Sequence, residues 1–83
     1  MTDTPRLTQH ARERCQQMNV STKRVKRILQ NPDLVYPGPL EHGDNYLAGA
    51  EFDREILVAF VVEDGVTTVK TVLFRTNEYY VRP

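Results

Sequence analysis

Eighty-three residues supply material for one hydrophobic core, since domains run from about 50 to 250 residues and a second core would have nothing to draw on. With 40% hydrophobic and 27% charged residues, the composition is that of a folded chain rather than a disordered one. The longest apolar run, Ile56 to Val62, falls well short of the ~18 residues a membrane span needs. Net charge is zero but unevenly placed. Residues 1–30 carry Arg6, Arg12, Arg14, Lys23, Arg24, Lys26 and Arg27 against only Asp3 and Glu13, whereas residues 31–83 carry four basic residues against nine acidic ones. A basic face of this kind suits a phosphate backbone or an acidic protein surface, and it is also what a solvated helix face looks like. The neutral total argues against a dedicated RNA binder, which normally carries a basic excess.

Cys15 stands alone, so no internal disulfide forms and no zinc cluster is expected, as in a reducing cytosol. The opening Met1 to Arg6 lacks an apolar stretch after a basic one, which predicts no signal peptide and a cytoplasmic protein.

A first helix is expected to start near Thr4-Pro5 or at Thr8, both of which offer a capping hydroxyl. Leu7, Ala11, Cys15 and Met18 recur on one helical face, and Asn19 suits a left-handed stop. Ser21 is the natural cap of a second helix, with Val20 and Val25 spaced for a hydrophobic staple. Val25, Ile28 and Leu29 form its buried stripe, and Asn31-Pro32 ends it. From Pro32 the texture turns to strand. Leu34-Val35-Tyr36 reads as a short extended segment, and Pro37-Gly38-Pro39 as a loop that no sheet interior accepts. Strands are expected over 45–52, 55–63 and 67–75, with Tyr79-Tyr80-Val81 as an edge. Asp53-Arg54 and Asp64-Gly65 are the expected turns, the second of type I′. The run 56–62 marks the central strand. The whole chain, 1–83, then reads as one α+β domain, a two-helix hairpin packed on an antiparallel meander sheet of about four strands.

His10 and Arg14 lie four residues apart and share a helix flank. An imidazole moves protons near neutral pH, and a guanidinium grips phosphate with two prongs, which are the abilities RNA cleavage through the 2′-hydroxyl requires. The same spacing is common in plain surface pairs. Lys70, Thr71, Arg75, Tyr79, Tyr80 and Arg82 along the last strands suit phosphate contact and base stacking, or equally the charged protection of an edge strand. His42, beside Glu41 and Asp44, has no metal-ligand spacing. No phosphate-binding glycine loop, zinc motif or nucleophile elbow is present.

The stretch Leu7-Thr8-Gln9-His10-Ala11-Arg12-Glu13-Arg14-Cys15, followed by Met18-Asn19-Val20-Ser21, Val25 and Asn31-Pro32, resembles the opening of a widespread family of small bacterial and phage proteins related to RelE/ParE-type toxins. Lys70-Thr71-Val72-Leu73 is similar to the core of that family's late strand, and the segment Leu73 to Arg82 looks like the versions carried by actinobacterial phages. The resemblance implies the fold of RelE toxins and microbial ribonucleases, and an RNA substrate cut without metal or cofactor. It carries over His10 as proton-transfer group, with Arg14 and Thr71; Arg75 joins the phosphate clamp from its place on the late strand, and Tyr79 is a further positioning hydroxyl. Lys23, Arg24, Arg27, Lys70 and Arg82 are the expected substrate-binding cations. RelE-type toxins that cut ribosome-bound messages are strongly basic, and this neutral chain departs from them. The alternative is a phage or mobile-element protein that binds and modulates a host protein without catalysis. An antitoxin partner and a homodimer built by edge-strand pairing are compatible with either.

Overall fold

The computed structural model describes residues 5–37 and 45–75. Two helices, α1 (Gln9–Met18) and α2 (Thr22–Gln30), stand with five strands, β1 (Arg6–Leu7), β2 (Leu34–Pro37), β3 (Tyr46–Ala50), β4 (Asp53–Glu63) and β5 (Val66–Phe74). The expected α+β class and helical hairpin are present, but the sheet differs from a four-strand antiparallel meander. It is five-stranded and mixed, in the order β1-β5-β4-β3-β2 among the described residues.

The additional strand is β1, whose Arg6 and Leu7 pair in parallel with Thr68 and Val69. The first helix therefore starts at the later of the two expected positions, capped by Thr8, which accepts from the Ala11 N–H at 3.1 Å. Leu7 is buried with Ala11 and Cys15 even though it sits on a strand rather than on the helix. Its position satisfies the apolar spacing without helical geometry. The expected edge at Tyr79-Tyr80-Val81 lies outside the described residues, and β2 supplies the far edge instead. Pro37 ends β2 at that edge, where a missing N–H does least harm.

Local signals explain the helix ends. Asn19 adopts the left-handed conformation (φ 58°), and its N–H reaches the last carbonyls of α1. Ser21 caps α2 by accepting from the Arg24 N–H at 3.2 Å, while Val20 and Val25 are both buried in one cluster. Asp64 and Gly65, at φ 53° and 76°, make the two-residue turn between β4 and β5. Glu51 and Phe52, rather than Asp53-Arg54, turn the chain from β3 to β4. β4 takes the middle place in the sheet, and Ile56 to Ala59 are all fully buried.

Side chains alternate across the strands, so the sheet has two apolar faces. One meets the helices, with Ala48, Ile56, Val58, Val69 and Val72 packed together with Ala11, Cys15, Val25 and Ile28. The reverse face carries Leu47, Leu57 and Ala59, with Leu73 against them. A bulge in β5 opposite Ala59/Phe60 leaves Lys70 as the extra residue and re-aims the strand there. Gly49 is small for a reason on the reverse face: a Cβ would lie 2.6 Å from Arg75 Nη2 and 2.9 Å from Leu57 Cδ2. Gly49→Ala should therefore cost about 1–3 kcal/mol of stability through overpacking, read as a lower urea midpoint. An unchanged midpoint would show that Gly49 is not closely packed there.

Candidate functional site

The residues singled out above fall into three groups. The first surrounds the outer edge of β5. Thr8 donates its N–H to the Val69 carbonyl at 3.1 Å and its hydroxyl to the Lys70 carbonyl at 3.3 Å. Arg14 Nε donates to the Val72 carbonyl at 3.2 Å, and its Nη1 donates to Gln17 Oε1 at 3.3 Å. Together these bonds occupy carbonyls that an unprotected edge strand would leave open. They also fix α1 along that edge, with exposed His10 one turn from Arg14 on the same flank. Arg6 and Lys70 are exposed beside it. No ion pair among the described residues involves Arg6, Arg14 or Lys70.

The second group joins α2 to the turn between β3 and β4. Arg24 grips Asp53 with two bonds, Nε to Oδ2 at 2.8 Å and Nη2 to Oδ1 at 2.7 Å, and it reaches Glu55 at 3.0 Å. Arg27 lies over the Phe52 ring, 4.7 Å from its centre. The lopsided charge of the sequence is thus partly spent inside the molecule, where a basic helix docks on an acidic turn. Of this group only Lys23 is both exposed and uncommitted among the described residues. The Arg24 bonds hold the Asp53 carboxyl below its ordinary range, with burial working in the opposite direction.

A depressed folded-state value means that Asp53 stabilises the fold above the unfolded carboxylate range, and that this contribution is lost as pH falls through the lowered value. The Asp53 side chain is 11% exposed and that of Arg24 is 35% exposed, so the pair is worth more than a fully solvated one but remains screened. Asp53→Asn should cost about 1–2 kcal/mol at pH 7. The gap should narrow only as pH falls through the lowered folded-state value of Asp53. Unfolding curves recorded from pH 7 down through the acid range check this, and a gap of constant size throughout would remove the ionic explanation.

The third group is on the reverse face. Thr71 alternates with Leu73 and half-buried Arg75, whose guanidinium lies against Gly49 and Leu57. The structure therefore brings His10 and Arg14 to the Lys70–Val72 edge but places Arg75 on the other side of the sheet. Tyr79, Arg82 and His42 lie outside the described residues. Cys15 is buried, and burial pushes its thiol up, which suits a core residue and not a nucleophile. Among the described residues no group of three His, Cys, Asp or Glu side chains is placed to hold a metal ion. None of their helices is long and apolar enough to cross a membrane.

A family model described as a domain of unknown function (DUF4258) matches residues 7–74. The chain belongs to that family. No curated protein and no solved structure matches it. The DUF4258 match runs from Leu7 of β1 to Phe74 of β5, so it takes in both helices and every contact of the first two groups.

The sequence reading missed one feature, a cleft of about 470 Å³ on the helix side, lined by Pro5, Leu29, Gln30, Val35, Phe60 and Thr67 among others. Its cause is a mismatch of length. Helices of 10 and 9 residues extend about 15 Å, whereas the 11 residues of β4 extend roughly 36 Å. Among the described residues neither helix covers the end of the sheet beyond α2, where Val35 is 49% and Val62 55% exposed. Tyr46 stands beside it, its ring 5.8 Å from that of Phe60. Element lengths alone hinted at this gap, but the helix positions were needed to locate it.

Proposed function

We propose that this chain is a small RelE/ParE-type, toxin-like protein that acts on RNA, holding the phosphodiester backbone along the outer edge of β5. One observation carries the reading. Arg6, His10, Arg14 and Lys70 gather around that edge without acidic partners among the described residues, while Arg24 is committed to Asp53 and Glu55. Arg14 is held in place through Nε and Nη1, so its Nη2 is left to donate to a phosphate oxygen. The resemblance of Leu7 to Ser21 to toxin-related proteins points the same way.

In this reading His10 takes the proton of the 2′-hydroxyl as its oxygen attacks phosphorus. The bond to the 5′-oxygen breaks, and that oxygen leaves with a proton returned by the imidazole or solvent. Arg14 meets the negative charge that develops on the phosphoryl oxygens. Lys70 adds a phosphate contact, whereas Thr71 faces the reverse side of the sheet with Leu73 and is not part of the grip. Arg75 drops out of the clamp because its guanidinium is packed against Gly49 and Leu57.

Three edge cations acting on a single strand should give a salt dependence of about −2 in log K against log salt. Fluorescence anisotropy with a labelled single-stranded RNA measures it. Arg14→Glu with Lys70→Glu should weaken binding at least tenfold and flatten the slope, whereas Lys23→Glu should change little. Equal losses from both variants would show that the edge is not the contact surface.

A second reading is favoured by the separation of Arg75 from His10. A protein lacking a convergent catalytic group acts by docking, here on a host protein, with exposed Lys23 and Arg27 on α2 as the contact surface. Host-lysate capture that is lost in Lys23→Glu/Arg27→Glu and kept in His10→Ala would favour it over RNA cleavage.

A further inference from the structure

We infer that the cleft at the end of the sheet beyond α2 is a nucleobase site, and this inference rests on the RNA-binding reading above. Its lining supplies the chemistry that a flat, neutral heterocycle needs. Pro5, Leu29 and Val35 are apolar walls, and Phe60 offers an aromatic ring. Single-stranded RNA is recognised by splaying bases onto such surfaces and hydrogen-bonding their edges. Gln30 and Thr67 both line the cleft, and neither side chain bonds another described residue. An amide presents a donor beside an acceptor, the pattern that base edges complement. None of the described residues that line the cleft is charged, and its apolar walls suit the base rather than the phosphate.

Position links the cleft to the cationic edge. Pro5 and Thr67 both line it, and the residues that follow them, Arg6 and Thr68, are paired partners of β1 and β5. Thr67 and Lys70 are three residues apart on β5, roughly 10 Å along the strand. A single strand whose phosphates follow Arg6 and Lys70 can therefore turn a base past Pro5 into the cleft. The volume of about 470 Å³ falls within the usual range of small-ligand pockets.

Two measurements on the full chain separate this inference from the RNA reading beneath it. In an NMR titration, free adenosine and uridine should shift the Gln30 side-chain amide and the Thr67 methyl, and Gln30→Ala/Thr67→Val should abolish nucleoside binding. Gln30 is exposed and Thr67 only half-buried, so the fold should be retained. In anisotropy, a labelled single-stranded RNA should bind about tenfold more tightly than an abasic ribose-phosphate chain of equal length. Equal binding of the two chains, with no nucleoside shifts at Gln30 or Thr67, would overturn the cleft while leaving the cationic edge intact. Nucleoside shifts with no binding of either chain would support the cleft and overturn the edge.

Discussion

Ile28→Ala should lower the thermal midpoint by roughly 10–30 °C. Ile28 is fully buried, and with Val25 it is one of two fully buried anchors that hold α2 to the sheet. Removing its branched side chain forfeits transfer energy and leaves a cavity, a loss of about 2–5 kcal/mol. A domain of this size has only about 4–12 kcal/mol in total, and each kcal/mol shifts the midpoint by about 4–8 °C. Loosening α2 also puts at risk the Arg24 grip on Asp53 and the Arg27 contact with Phe52, so part of the ion-pair contribution should go with it. Val62→Ala, at the exposed end of β4, is the matched control and should stay within about 0.5 kcal/mol of wild type. Circular dichroism melts decide the matter. A midpoint shift of only a few degrees in Ile28→Ala would mean that α2 is not seated as described.

What the sequence made legible follows from the range of the interactions involved. Caps are local, so Thr8, Asn19 and Ser21 could be read from their neighbours, as could the Asp64-Gly65 turn. The run at 56–62 marked the middle strand because only a strand covered on both faces tolerates continuous apolar residues. β1 was not legible. Two residues carry no period, and their pairing depends on Thr68 and Val69, about sixty positions away. The same distance hid the fate of the charges. Arg24 looked free for a substrate because Asp53 and Glu55 lie 29 and 31 residues further on. Arg75 looked like a neighbour of His10 because both were placed on one imagined surface, whereas strand alternation puts Arg75 on the reverse face with Leu57. The His10–Arg14 flank was readable as a helical repeat, but its anchoring to the β5 edge through Val72 was not.

His10→Ala should abolish RNA shortening on expression and release the growth arrest, with a fall in cleavage rate of about 10²–10⁴-fold. The variant should fold normally, since His10 is exposed and makes no hydrogen bond among the described residues. It should also keep its affinity for single-stranded RNA within about twofold, because the proposed grip belongs to Arg6, Arg14 and Lys70 rather than to the imidazole. That separation of rate from affinity distinguishes a proton-transfer group from one that merely adds charge. His10→Lys sharpens it further: a lysine restores a cation at the edge, yet it is protonated at neutral pH and cannot take up a proton there, so cleavage should remain absent. If instead growth arrest persists in His10→Ala with cellular RNA intact, the imidazole has no chemical role. The arrest would then have to come from a bound partner, and the exposed cations of α2 would become the surface to trace.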